Sequence, residues 1–167
     1  MNKRSFAILA VVLVAVLFGC SSSNKNAGNT APDFRADDLT GRTVYLNAEL
    51  RNGPVVLTFF ATWCEPCREE APLLAKLADK YKGRAQVLCL AVDPENKDKI
   101  ATFAKSLSLP YPVLMDEGRK IMERYGVSQL PATFLLGKDG RIYSRFDRFG
   151  ETEQKALQDA LDRLLEK

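Results

Sequence analysis

The run Val55-Val56-Leu57-Thr58-Phe59-Phe60 leads, four residues on, to Cys64-Glu65-Pro66-Cys67, and the segment from Arg68 to Tyr81 follows at once. The run is β-branched and aromatic and has the length of a buried strand, whereas Leu73, Leu74, Leu77 and Tyr81 recur at helical intervals. The two cysteines therefore sit where a strand hands over to a helix, with the spacing of a thiol-disulfide exchange site. Unpaired N–H groups and the positive end of the helix dipole stabilise a thiolate there, and the thiolate is the nucleophile of disulfide exchange. Cys64 is expected at the exposed lip of the site as that nucleophile.

The 167 residues include four cysteines and no histidine. Lack of imidazole excludes Ser-His and Cys-His catalysis and any metal site that needs a histidine ligand. A tetrahedral zinc site needs four ligands, more than Cys64, Cys67 and Cys89 supply. One pair plus one cysteine is also not the framework of a disulfide-stapled miniprotein. No metal and no other cofactor is expected.

Lys3 and Arg4 precede an apolar run from Phe6 to Phe18, a basic and then hydrophobic leader too short to span a bilayer comfortably. Residues 1–19 are expected to be an export signal. Leu17-Phe18-Gly19-Cys20 resembles the lipobox of bacterial lipoproteins, which implies cleavage before Cys20 and lipidation of its sulfur, although Phe18 is bulkier than that box usually holds. Residues 20–31 read as the lipidated cysteine and a flexible tether, with a reach of roughly 18 Å for the eleven residues after Cys20 on Gly/Ser-chain scaling. Residues 32–167 have the length of one domain with a substantial core. Without the leader, 22 basic residues face 21 acidic ones, which gives no reason to expect a nucleic-acid partner.

Within that domain, Phe34 to Leu46 around Thr40-Gly41 predicts a β-hairpin, and Asn47 is a candidate cap for a short helical turn through Arg51. Gln86 to Val92 is nearly all apolar, as a strand covered on both faces should be, so Val55 to Val92 reads as a βαβ unit with parallel strands. Ile100, Phe103, Ala104 and Leu107 share one side of a helix capped by Asn96. A short strand is expected over 113–115 and a short helix over 119–125. Asp139-Gly140 between apolar-bearing runs is a hairpin signal, and Leu157, Leu161, Leu164 and Leu165 form the stripe of a closing helix.

Taken in this order, with Pro131 ahead of a strand, the elements resemble an α/β thioredoxin fold: a central mixed β-sheet flanked by helices. The N-terminal hairpin and the inserted helix between the βαβ and ββα halves, with the phrases ATWCEPCREEAPLL and GVSQLPATFLLGKDGRI, are similar to the ResA/TlpA group of extracytoplasmic, membrane-tethered thiol-disulfide oxidoreductases. The resemblance implies that Cys64 attacks and Cys67 resolves. It implies that Pro131 follows a cis bond beside the pair and leaves the backbone of Leu130 exposed to a substrate segment, with Trp63 and Pro66 flanking the site. It also implies that Glu70, about one helical turn beyond Cys67, lines a cavity by the active site. Glu70 is then the expected proton relay for Cys67, with a raised pKa if apolar walls desolvate it. Thioredoxin places a buried aspartate where this chain has Thr58, which takes no proton at neutral pH. Pro72 matches the helix proline of that fold.

Glu65 puts a negative charge beside Cys64, which disfavours its thiolate modestly and points to a reductase rather than an oxidase. The resemblance implies exported disulfide-bearing substrates, apocytochrome c heme-site cysteines among them, and a membrane electron donor of CcdA/DsbD type serving a lipid-anchored monomer. A peroxiredoxin-like peroxidase is the alternative enzyme, although Leu57 and Ala61 stand where that reaction needs a proline and a hydroxyl residue. A non-catalytic anchored binding module is the other alternative. Cys89, mid-strand, reads as a small apolar group in the core, and Arg141, Arg145 and Arg148 read as a solvated face.

Overall fold

The computed structural model describes residues 30–93 and 96–166. The expected leader, Cys20 and residues 20–29 of the expected tether lie outside the described residues. Thr30 and Ala31, assigned above to that tether, are already part of the sheet structure. Thr30 bridges Arg141, and the buried Ala31 donates its N–H to Gly140 O at 2.8 Å. Pairing of this kind uses backbone alone, so composition gives no sign of it.

Arg35–Asp37 (β1) and Thr43–Tyr45 (β2) form the expected antiparallel hairpin. The Asp38 carboxylate closes its turn by accepting from Thr40 Oγ1 at 2.6 Å, Thr40 N at 2.8 Å and Arg42 N at 3.0 Å. The Leu46–Asn52 helix (α1) follows directly, and Asn47 does not cap it: Tyr45 holds the cap position without a side-chain bond. The Asp33 carboxylate, far back in the chain, instead accepts from Asn47 N and Nδ2, each at 3.3 Å.

Val55–Phe60 (β3), Glu65–Lys80 (α2) and Gln86–Ala91 (β4) make the βαβ unit, and β3 and β4 pair in parallel. Lys97–Ser106 (α3) is capped by Asn96, whose side chain accepts from Lys99 N at 3.0 Å. Val113–Met115 (β5), a 3-10 turn over Glu117–Arg119 and Lys120–Arg124 (α4) precede Ala132–Leu136 (β6), Ile142–Phe146 (β7) and Glu151–Leu165 (α5). The sheet order is β5-β4-β3-β6-β7, parallel from β5 to β3 and antiparallel beyond, which is the mixed sheet of a thioredoxin-like fold. Gly140 takes a positive φ of 73° in the Asp-Gly turn, where a side chain would be strained.

Every residue of β3 is buried, as a central strand covered on both faces must be. On one face Phe59 meets Tyr125 and Phe134 at ring separations of 5.4 and 5.9 Å. On the other, Phe60 stacks on Phe103 of α3 and Thr58 faces α2. Tyr81, fully buried at the end of α2, donates its hydroxyl to Asp162 Oδ1 at 3.0 Å and so fastens α2 to α5. Arg145 departs from the solvated face expected of it. Its guanidinium lies 5.3 Å from the centre of the Phe134 ring and donates to Gly126 O at 3.3 Å and to Asp147, because β7 carries its stem across an aromatic core side chain.

Candidate active site

Cys64 is the N-cap of α2, Pro66 lies in the first turn and Cys67 three residues on. The two sulfurs are bonded at 2.03 Å, with Cα atoms 5.3 Å apart, and Cys64 Sγ also accepts the Cys67 N–H at 3.2 Å. These contacts turn the Cys64 side chain back over the helix end, so the residue is only 6% exposed. It is not the exposed lip expected from the sequence. That position belongs to Trp63, at 61%.

The loop leading into Cys64 is held from the neighbouring strand. Asp93, just past β4, accepts from Thr62 N at 2.9 and 3.1 Å and from the Thr62 hydroxyl. Sequence reasoning did not select this buried carboxylate. The contact spans 31 residues, and an Asp-Pro pair after a strand reads only as a stop signal.

Outside the disulfide lies an open groove of about 520 Å³, to which Trp63, Cys64, Glu65 and Pro66 contribute one wall and Arg119, Met122 and Leu130 part of the other. The Leu130-Pro131 bond is cis. Leu130 is half-buried and lines the groove, whereas Pro131 is buried behind it. Arg119, with a positive φ of 58°, reaches back to donate to Val92 O at 3.2 Å. Glu65 pairs with Arg68 at 3.7 Å on the outer surface, an exposed contact of little energetic weight.

Inside the disulfide lies a cavity of only about 10 Å³, walled in part by Cys67, Glu70, Thr58, Cys89 and Tyr111, with room for about one water molecule. Glu70 is 1% exposed while its neighbour Glu69 faces solvent. Burial is the largest influence on the Glu70 carboxyl and raises its pKa from 4.5 to about 7, with the Thr133 and Thr58 hydroxyls within hydrogen-bond reach of it. Thr58 Oγ1 lies 3.4 Å from Glu70 Oε1, and Thr133 Oγ1 contacts the same oxygen. Thr133 was not singled out in the sequence, since only the β3–β6 register places it opposite Thr58. Cys89, opposite Thr58 on the other side, is free and buried; desolvation and then the nearby Glu70 carboxyl push its thiol well above the usual range. Tyr111 donates to Ala71 O at 3.3 Å and is pushed up chiefly by burial. Among the described residues there is no cluster of three or more side chains able to hold a metal ion.

A cysteine pair bonded at the head of a helix, open to a groove on one side and backed by a carboxyl on the other, in this fold, defines a thioredoxin-like redox protein. The AhpC/TSA family matches residues 27–145, and the chain belongs to that family. It is 30% identical over 174 residues to thiol-disulfide oxidoreductase ResA of Bacillus thuringiensis (strain Al Hakam), covering 97% of this chain and 98% of the relative. Among solved structures it resembles a putative thiol:disulfide interchange protein DsbE from Chlorobium tepidum, with a TM-score of 0.76, 28% identity and coverage of 83% of this chain and 97% of that one. It also resembles peroxidoxin BcpB from Mycobacterium tuberculosis, with a TM-score of 0.69, 28% identity and coverage of 84% and 96%. These relatives and the bonded pair together support a redox enzyme of the thiol-disulfide oxidoreductase type.

Proposed function

We propose that the protein reduces disulfides of exported proteins through a Cys64/Cys67 dithiol-disulfide cycle. The observation that carries this reading is the bonded pair itself, placed between an open groove and a buried carboxyl. In the reduced enzyme the Cys64 thiolate, favoured by the N-terminal end of α2, attacks a substrate sulfur in the groove. One substrate thiol leaves and a mixed disulfide forms. Cys67 then attacks Cys64 Sγ, releasing the second substrate thiol and closing the internal disulfide, so two electrons pass to the substrate. Glu70 takes the proton that Cys67 must lose; a carboxyl with a pKa near 7 is suited to exchange protons at neutral pH.

Trp63, Pro66 and Leu130 supply the surface on which the substrate segment lies, and Pro131 fixes the backbone of Leu130. Apocytochrome c heme-site disulfides fit as substrates, and a membrane donor of CcdA/DsbD type fits as the source of electrons. The leader and Cys20 support a lipid anchor on the extracytoplasmic side of a membrane, and the anchored protein is proposed to act as a monomer. Among the described residues no helix is long and apolar enough to cross one. Reduction of insulin, lost in Cys64→Ser, and capture of substrates as mixed disulfides by Cys67→Ser test the cycle; binding without turnover would favour an anchored binding module. The family match and the likeness to a peroxidoxin favour peroxidase as the second reading. Thiol-dependent peroxide consumption exceeding insulin reduction would replace the first reading with it.

A further inference from the structure

Thr58, Thr133 and Glu70 meet in a closed triangle at the base of the inner cavity. Thr133 Oγ1 contacts Glu70 Oε1 and lies 2.9 Å from Thr58 Oγ1, and Thr58 Oγ1 returns to the carboxyl at 3.4 Å from Oε1 and 3.5 Å from Oε2. Both threonines are at most 1% exposed, and among the described residues neither hydroxyl has a hydrogen-bond partner outside this ring. The ring is built by the sheet: the register sets Thr58 of β3 opposite Thr133 of β6, and Glu70 of α2 lies over them.

Each side of the triangle needs one proton, and each hydroxyl brings one. With Glu70 ionised only two protons are present for three contacts. If both hydroxyls then donate to the carboxylate, the Thr133 and Thr58 oxygens face each other at 2.9 Å with no hydrogen between them. With Glu70 protonated the count closes: Glu70 donates to Thr133, Thr133 to Thr58 and Thr58 to the other carboxyl oxygen.

We infer that Thr58 and Thr133 are positioning residues that hold the relay proton on Glu70 while the cysteines are bonded, with Thr133 accepting from neutral Glu70 and donating to ionised Glu70. This rests on the reading of Glu70 as proton relay. When Cys67 loses its proton to Glu70 as the internal disulfide closes, the ring becomes complete. When the disulfide is reduced and the proton returns to Cys67, the Thr133 hydroxyl turns to donate to the carboxylate. The other titratable groups at this cavity are Cys67 on α2, Cys89 on β4 and Tyr111 ahead of β5. None of these brings a cation to hold the ionised form.

The ring and a plain pair of donors predict opposite signs for the loss of either hydroxyl. In Thr58→Val the Thr133 proton has only Glu70 to go to, so the ionised form is satisfied and the neutral form keeps a surplus proton. The Glu70 titration, followed through its carboxyl carbon by NMR in the oxidised protein, is then expected to fall by at least about 0.5 pH units. In Thr133→Val the Thr58 proton likewise has only Glu70 to go to, so the titration is again expected to fall by at least as much, with Thr133→Ser restoring the native value. A rise in either valine variant would overturn the ring, and so would a failure of Thr133→Ser to restore the native titration; the Thr58 variant and the serine variant decide the matter even where Thr133→Val does not fold. The relay is tested separately by the pH dependence of Cys67 alkylation in Glu70→Gln. An unchanged profile there refutes the relay, whereas a changed profile with a raised Thr58→Val titration refutes only the ring.

Discussion

Replacing Glu70 by glutamine should make the oxidised protein more stable at alkaline pH. Burial lifts the folded-state pKa of Glu70 from 4.5 to about 7, so the folded chain binds this proton more tightly than the unfolded chain does. The proton's contribution is complete below the unfolded value and declines as pH rises, until above the folded value a charge is left inside the core. At about 1.4 kcal/mol per pH unit, the lost stability is on the order of 3 kcal/mol. Glutamine has the same shape and no charge to bury at any pH. The stability of Glu70→Gln relative to the native protein should therefore climb by about 2–3 kcal/mol between about pH 5 and about pH 9. Urea unfolding of both oxidised proteins across that range measures it. A constant offset between the two curves would refute the reasoning, because Glu70 would then take up no proton on folding.

Asp38 should act in the opposite sense: the Thr40 hydroxyl foremost, with the Arg42 and Thr40 backbone N–H groups, holds its pKa at about 2 against burial, so its stabilisation is present above about 3.8 and lost as pH falls through about 2. Asp38→Asn should flatten the acid limb of the stability curve, as read from thermal unfolding at low pH. Asp93→Ala strips the buried Thr62 N–H of its acceptor and should cost about 1–3 kcal/mol, with a slower insulin reduction because the loop into Cys64 is loosened; unfolding and turnover measured together check it. Tyr81→Phe, which removes one of the hydrogen bonds between α2 and α5, should cost about 1 kcal/mol in urea unfolding and leave turnover unchanged.

The features written locally in the chain were legible. The apolar run into Cys64 gave β3, the Leu73–Leu77 spacing gave α2, and Asp139-Gly140 gave the turn between β6 and β7. Asn96 caps α3 as its position suggested, while Asn47 does not cap α1, because Asp33 reaches it from 14 residues away. The site divides in the same way. Cys64, Cys67 and Glu70 could be read from spacing on one helix and from resemblance. Thr133 beneath Glu70 and Asp93 beneath Thr62 depend on which strands lie side by side, and no local pattern records that. The low exposure of Cys64 was missed because a sulfur at a helix cap reaches the first turn's N–H groups as readily as solvent does.

Thr30 and Ala31 join the fold at the turn after β6, whereas the sulfurs lie beyond the far end of β3. Because Val55 stands opposite Leu136 and Phe59 opposite Ala132, the two places are separated by the six-residue span of β3, about 20 Å at roughly 3.3 Å per residue. The described residues thus begin at one pole, and the bonded cysteine pair lies at the other. A leash attached upstream would leave the reactive pole turned outward, free to meet incoming clients without obstruction from its own mooring.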